Sequence, residues 1–287
     1  MRANELFSAK TVFSFEIFPP KKENGLESVY KTLEGLRDLS PDFISVTCGA
    51  GGSGGALTAQ IAAEIKNRYK KESAAHLPCM NLDKEEVTAI LANLKENGIE
   101  NILALRGDKT PDTVAKTDFV YASELISFIK SAGDFNIIAA CYPEGHPESA
   151  NTVEDIHNLK RKTDAGADQL IAQLCFDNDI FYSFLEKARI AGIGVPIQAG
   201  IMPVTNKKQI ERIVSLCGAT LPKKFRKIID KYGGDPQSMR DAGIAYAIDQ
   251  IVDLITCDVE GIHLYTMNNS LVAHRIYEAV SGLIKPR

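Results

Sequence analysis

Three times in this chain a helical pattern ends on glycine, turns within a few residues and launches an apolar run. The three are NGIENILAL from Asn97, AGADQLIAQ from Ala165 and AGIGVPIQA from Ala191. Glycine suits that joint because the left-handed residue that closes a helix costs it nothing. A strand that follows a helix so closely returns to the sheet parallel to the strand before it, which is the grammar of βα repeats.

The alternation runs the length of the chain. TVFSFEIFPP reads as a first strand, since its aromatic and β-branched residues favour a ladder that Pro19 and Pro20 cannot continue. A helical pattern from Gly25 to Leu39 precedes DFISVTC, and Leu57, Ile61, Ile65 and Tyr69 then recur at every fourth position. AAHLPCMNL is a third strand. Asp83 with Glu86 forms a capping-box signature for the next helix, which Asn97-Gly98 closes. ENILALRGD, NIIAACYP, DQLIAQLCF, VPIQAGI and GIHLYT supply strands four to eight, with two or three helices between Asn206 and Cys257 and a final helix after the eighth strand. Eight strands, each followed by a helix, predict a (β/α)8 TIM barrel with extra helices between strands 7 and 8. A doubly wound sheet is the alternative. No Pro/Gly/Ser linker or composition shift divides residues 1–287, so a single domain is expected.

A formal charge of −4 gives no electrostatic footprint for nucleic acid or an anionic membrane. No apolar run has transmembrane length, and the N-terminus lacks a signal-peptide apolar region. The six cysteines form no CxxC pair and have no histidine at zinc spacing, so a cytoplasmic protein with reduced thiols is expected. Cys48, Cys79, Cys141 and Cys175 all fall near strand ends, but on four separate strands. Burial as small apolar residues is preferred to a metal cluster. Sequence leaves the oligomeric state open, a homo-oligomer included.

Within the first strand, Glu16 is out of place, flanked by Phe13, Phe15, Ile17 and Phe18. One reading is a surface carboxylate paired with a Lys or Arg. The other is a desolvated carboxyl that favours its protonated form and serves as a general acid. In a (β/α)8 barrel the active site lies at the C-terminal ends of the strands. Those ends carry Glu16, Thr47, His76, Arg106-Gly107-Asp108, Tyr142 through His146, Gln173 and Tyr265. Each has an ordinary structural reading alone; together they predict a shared pocket. Downstream, Asp155, Asn158, Arg161 and Lys162 recur three or four apart and share one helical face. Arg161 and Lys162 suit a pyrophosphate and Asp155 a ribose hydroxyl, unless the face is merely solvated.

The run from Gly49 to Gly54 matches GxGxxG between a strand and a helix. A dinucleotide fold also requires an acidic residue ending the next strand, about 20 residues on. The next strand instead runs on to Asn81 and Asp83, and a full βα unit precedes the motif. A glycine loop at a barrel mouth, where backbone approaches a ligand closely, is the better reading.

SFEIFPPK, SVTCGAGG, AAHLPC, LALRGD, YPEGHPE, NLKRKTDAGAD, AQLCFD, GIMPVTN and HLYTMN, in this order, resemble the methylenetetrahydrofolate reductase family over nearly the whole chain. The resemblance implies a flavin-dependent barrel of one-carbon metabolism and methionine biosynthesis that binds FAD without a dinucleotide fold. It implies FAD contacts at Thr47, Cys48, Ala50, His76, Arg106, Gly107, Asp108, Ala122, Tyr142, His146, Asp155, Asn158, Arg161 and Lys162. Glu16 matches the family's general acid, which opens 5,10-methylenetetrahydrofolate to a 5-iminium cation. Reduced flavin then delivers hydride to give 5-methyltetrahydrofolate. Asp108 matches the aspartate near flavin and folate, and Gln173 and Gln209 match folate-binding positions. One pocket takes reductant and folate in turn, a ping-pong scheme.

Two positions depart from the family pattern. Ile213 stands where a phenylalanine stacks on the nicotinamide donor, which leaves NADH, NADPH and a partner electron-donor protein as alternative sources of electrons. Asn269 stands where an arginine meets the glutamate tail of folate, with Arg275 one or two helical turns on as a substitute. The rival functions are a nicotinamide dehydrogenase using the glycine loop, and a flavin- or folate-binding subunit that needs a partner to turn over.

Overall fold

The computed structural model describes residues 1–20, 25–49, 55–107, 116 and 118–284, apart from the side chains of 215 and 216. The expected contacts at Ala50 and Asp108, and most of the glycine loop, lie outside the described residues.

Eight parallel strands close into a barrel in sequence order: β1 (Val12–Ile17), β2 (Phe43–Val46), β3 (Glu72–Pro78), β4 (Asn101–Leu105), β5 (Asn136–Cys141), β6 (Gln169–Ala172), β7 (Ile197–Ile201) and β8 (Gly261–Tyr265). Closure decides between the two architectures expected from sequence. β1 pairs with β2 on one side and with β8 on the other, Glu16 standing level with Ser45 and with Tyr265. A doubly wound sheet has two free edges and is excluded.

The helices follow as α1 (Leu26–Gly35), α2 (Gly55–Asn67), α3 (Lys84–Glu96), α4 (Ala122–Ala132), α5 (Thr152–Asp164), α6 (Asn178–Ile190), α7 (Lys207–Cys217), α8 (Lys223–Tyr232), α9 (Pro236–Thr256) and α10 (Ser270–Val280). The sequence signals for their ends are realised in the backbone. Asp83 and Glu86 form a reciprocal capping box on α3. Gly98, Gly166 and Gly192 take φ of 75°, 113° and 75° after α3, α5 and α6, so the recurring joint is a left-handed glycine each time.

Period-two alternation divides each strand between two cores. Phe13, Phe15 and Ile17 pack with the helices in the outer shell. Val12, Phe43, Ala74, Leu103, Ile138 and Ile171 fill the barrel itself, with Phe7 from an N-terminal 3₁₀ turn (Ala3–Ser8) in the same cluster. A third cluster is built by the insertion between β7 and β8. There Phe225 of α8 stacks on Tyr246 of α9 at 4.3 Å, over Phe176, Met202 and Val204 from the ends of β6 and β7. Gly243 of α9 lies so close to the loop after β7 that an added Cβ would stand 1.7 Å from the Val204 carbonyl oxygen. α9 also packs on β7 and belongs to the barrel's ring of helices, so the two extra helices, α7 and α8, sit at the end of the barrel where the candidate residues gather.

Candidate active site

Glu16 occupies the penultimate position of β1 and is 6% exposed. Its side chain is on the inward face shared with Ser14 and Val12. Two histidines and a serine surround it: Oε2 lies 3.4 Å from His76 Nε2, 3.4 Å from His263 Nε2 and 3.5 Å from Ser45 Oγ. This replaces the reading of a surface carboxylate paired with Lys or Arg.

His263, on β8, is fully buried, and a chain of side chains runs behind it. Its Nδ1 lies 2.7 Å from Ser14 Oγ, which accepts a hydrogen bond from Gln198 Nε2 at 2.9 Å. A hydroxyl has one proton to give, and the 2.7 Å contact to Nδ1 is much the shorter of its two acceptor contacts. With Nδ1 accepting, Nε2 carries the ring proton and faces Glu16. His76 belongs to β3 and was expected at a strand end; it lies within the barrel, two residues short of the end, because β3 extends to Pro78. Burial pushes its pKa down to about 4, outweighing the attraction of Glu16, so near neutral pH His76 presents no full positive charge to the carboxyl.

Tyr265 forms part of the same mouth. Its hydroxyl donates to the Ala172 carbonyl at 2.9 Å, and its ring crosses Gly200 of β7, where an added Cβ would stand 2.9 Å from the ring. Thr47 sits just beyond β2, its N–H donating to the Ile17 carbonyl and its own carbonyl accepting from Thr58 Oγ1. Gln173 follows β6, its Oε1 accepting from the Leu174 N–H at 2.9 Å. Gln209 is in the first turn of α7, 3.4 Å from Thr205 Oγ1.

Beside this mouth, β4, β5, α4 and α5 enclose a cleft of about 270 Å³. Arg106, Ala122, Tyr142, His146, Asp155, Asn158, Arg161 and Lys162 all line it. The helical face read from the spacing of the last four is therefore real and points into a cleft. Its members differ in character. Lys162 is drawn inward, Nζ donating to the Ala140 carbonyl at 2.9 Å and standing over the Tyr142 ring, and desolvation lowers its pKa. Arg161 is exposed. Asp155 is buried with Oδ1 already accepting from the His146 N–H and Ser149 Oγ, so it shapes the YPEGHPE loop as well as facing the cleft. His146 Nδ1 accepts from the Glu148 N–H at 3.1 Å, which leaves Nε2 as the protonated nitrogen. Burial and then the neighbouring Arg106 lower the His146 pKa.

Arg106 holds Glu148 through both terminal nitrogens at 2.7 Å, a planar fork of the kind that also grips phosphate. Gly107 follows at φ 91°, where an added Cβ would stand 3.1 Å from Pro78. Cys48 and His76 line a narrow crevice with Ala59, Leu77 and Leu94 rather than the cleft itself. Of the four cysteines near strand ends, Cys79, Cys141 and Cys175 are buried and Cys48 is half-buried. Burial pushes the thiols of the first three up to about 12, which makes them inert packing groups.

At the two departures, Ile213 packs on the inserted-helix cluster. Asn269 is the N-cap of α10, accepting from the Val272 N–H, and Arg275 pairs with Asp241 of α9 at the surface.

Ser14, Gln198, His263 and Glu148 were not singled out from sequence. Ser14 and His263 carry a usable signal, since each stands two residues before a strand-end group, Glu16 and Tyr265, and so shares its inward face. Glu148 stands at the end of YPEGHPE with nothing to mark Arg106 as its partner, and Gln198 carries no signal.

Comparison with known proteins agrees with this architecture. The family model for methylenetetrahydrofolate reductase matches residues 2–281. The 5,10-methylenetetrahydrofolate reductases of Pectobacterium carotovorum and Escherichia coli K12 are 36% and 35% identical over 263 residues, covering 92% of this chain and 88% of each relative. Methylenetetrahydrofolate reductase (NADH) 1 of Zea mays is 37% identical over 274 residues, and there the match spans 46% of the longer relative. Among solved structures, an uncharacterised Clostridium thermocellum protein that binds two copies of 5-methyl-5,6,7,8-tetrahydrofolic acid shares the fold at 13% identity. Its TM-score is 0.66, with 97% of this chain and 98% of that one covered. The match from end to end of the barrel, at this level of identity to bacterial enzymes of nearly the same length, places the chain in the methylenetetrahydrofolate reductase family.

Proposed function

We propose that this protein reduces 5,10-methylenetetrahydrofolate to 5-methyltetrahydrofolate with FAD as its cofactor and Glu16 as the proton donor. The observation that carries the reading is the setting of Glu16: a buried carboxyl at the catalytic end of β1, between two histidines, beside a cleft rich in phosphate-type donors.

The residues fit FAD. Arg106, Arg161 and the inward Lys162 bring cationic groups to one cleft, and the Arg106 fork is matched to an oxyanion by its hold on Glu148. Gly107 lets the backbone turn beside it without a Cβ. Tyr142, braced edge to face by His146 at 4.7 Å, supplies an aromatic ring to the cleft wall. When bound there, FAD supplies the hydride chemistry that no side chain can.

The protein's own contribution is proton handling and orientation. Glu16 protonates N10 of the folate imidazolidine, the C–N10 bond breaks, and the 5-iminium cation is left ready for reduction. Gln198, Ser14 and His263 hold one oxygen of the carboxyl in a fixed direction, and neutral His76 adds no charge that would oppose the cation. Gln173 and Gln209, on the β6 and β7 side of the mouth, supply amides for the pterin. Asp108 is assigned the negative charge that favours the iminium ion, on its match to the family motif.

NADH or NADPH would be the source of electrons, with reductant and folate taking turns in the mouth. A second reading is favoured by Ile213, which offers no ring to a nicotinamide: a partner protein would then be the source of electrons. Anaerobic mixing of the purified yellow protein with NADH, NADPH and 5-methyltetrahydrofolate in separate experiments tests the proposal. Bleaching by 5-methyltetrahydrofolate is expected whichever donor is physiological. A colourless protein, or a flavin indifferent to the folate, refutes the function.

A further inference from the structure

Just past β8 the backbone turns left-handed twice in succession, at a cost for Met267 and at little for an asparagine. Met267 and Asn268, neither of them glycine, stand at φ of 52° and 55°. Left-handed backbone is disfavoured for residues with a Cβ, and it persists where the surroundings over-determine it. What surrounds Asn268 is the end of β1. Its Oδ1 accepts from the Phe18 N–H at 2.8 Å and its Nδ2 donates to the Phe18 carbonyl at 2.8 Å. One side-chain amide thus supplies both halves of a ladder contact beyond Tyr265, where β8 has ended.

Thr266 works one step closer to the acid. The Glu16 carbonyl accepts from the Thr266 N–H at 3.2 Å and from its Oγ1 at 2.6 Å. The Asn268 N–H donates in turn to Thr266 Oγ1 at 3.3 Å, and Thr32 of α1 donates to the Asn268 carbonyl at 3.3 Å. On the other flank, the Thr47 N–H donates to the Ile17 carbonyl at 3.1 Å. Residues 16 to 18 are therefore gripped from both sides, and Pro19 and Pro20, which lack an N–H, follow at once.

We propose that Asn268, together with Thr266, is a positioning residue for Glu16, fixing the twist of the last turn of β1 and so the direction in which the carboxyl meets folate. The inference rests on Glu16 being the proton donor. Asn268 touches neither the carboxyl nor the cleft; it acts through the backbone of residues 16 to 18.

The deciding variant is Asn268→Gly in the flavin-loaded protein. Glycine keeps the left-handed backbone available, so the change removes the clamp without forcing a new conformation; leaving the Phe18 N–H and carbonyl unpaired lowers the thermal midpoint, and the comparison of the two half-reactions carries the test. The folate half-reaction is expected to slow by about tenfold to a hundredfold, the range that a misplacement of about 1 Å produces. Flavin content, bleaching by dithionite and the Kd for 5-methyltetrahydrofolate stay within about twofold of the parent, a kinetic loss without a binding loss. Thr266→Val, which removes the hydroxyl and keeps the N–H, is expected to show the same pattern more weakly. It decides the matter alone if Asn268→Gly does not fold. Parent-like folate turnover in both variants while Glu16→Gln is inactive overturns the positioning role and leaves the acid in place. Equal losses in both half-reactions, or a matching loss of folate affinity, also overturn it, by showing a general structural role. Normal folate turnover by Glu16→Gln removes the acid and this inference together.

Discussion

Glu16 and His263 meet across the seam where β1 closes the barrel on β8, Oε2 to Nε2 at 3.4 Å, and both are almost wholly buried. The histidine is held from behind by Ser14, which stands on the same strand and the same face as Glu16. A single strand thus carries both the acid and the anchor of its partner, so the geometry of the pair is set by the pleat of β1.

Replacing Glu16 with Gln keeps the shape and removes the transferable proton. The variant is expected to retain flavin and its reduction by an artificial donor, and to lose folate turnover by at least about a hundredfold, the usual range for a general acid. Stopped-flow measurement of the two half-reactions checks this. Equal loss in both contradicts the role.

Ser14→Ala removes the hydroxyl that orients His263. His263 Nδ1 loses its 2.7 Å partner, while Gln198 Nε2 keeps the Ile262 carbonyl at 3.2 Å. One buried acceptor left unpaired costs about 1–3 kcal/mol, which denaturant titration can read. The folate half-reaction is expected to slow, with flavin reduction unchanged.

His76 makes stability depend on pH in a defined window. Unfolded, its pKa is near 6.5; folded, burial depresses it to about 4. Between these values the unfolded chain binds more protons, so the contribution is fully present above pH 6.5 and is lost as pH falls toward 4. The loss is at most about 3.5 kcal/mol, since each tenfold difference in proton affinity between the two states is worth about 1.4 kcal/mol. His76→Gln is expected to flatten the fall in thermal midpoint between pH 7 and pH 4.5. An unchanged slope contradicts the assignment.

Ile213→Phe restores a ring on α7. An aromatic stack contributes about 0.5–1.5 kcal/mol, so NADH is expected to bleach the flavin at concentrations about two- to tenfold lower than in the parent. An unchanged NADH dependence shows that the missing ring does not limit use of the nucleotide and removes the argument from Ile213 for a different donor.

The fold was readable because its punctuation is local. Left-handed glycines at 98, 166 and 192 and the Asp83 capping box write the ends of helices in a few residues each. The cleft was half readable for a similar reason: Asp155, Asn158, Arg161 and Lys162 share a helical face by spacing alone. The partners of those residues were not. Arg106 is gripped by Glu148, 42 residues away, and Glu16 by His263, 247 residues away. No local pattern encodes such pairings; they exist only once the barrel has closed. Asn268 closes the HLYTMN motif, but nothing in that motif points to the end of β1 as its partner until its amide is seen on Phe18.

The glycine at position 200 has a consequence for how this mouth can be remodelled. A Cβ there would stand 2.0 Å from the Ala172 carbonyl oxygen and 2.9 Å from the Tyr265 ring, so the tyrosine lies in space that every other residue type would occupy. The depth of the catalytic bowl is thus set by an atom the chain does not have. Because the Ala172 carbonyl is backbone, a larger residue at 200 would have to part β7 from β6 before it could displace the tyrosine, so the barrel wall itself fixes where Tyr265 lies. The tyrosine so held stands edge-on to His263 at 5.3 Å, so a missing methyl group on β7 is felt, through two rings, at the neighbour of Glu16.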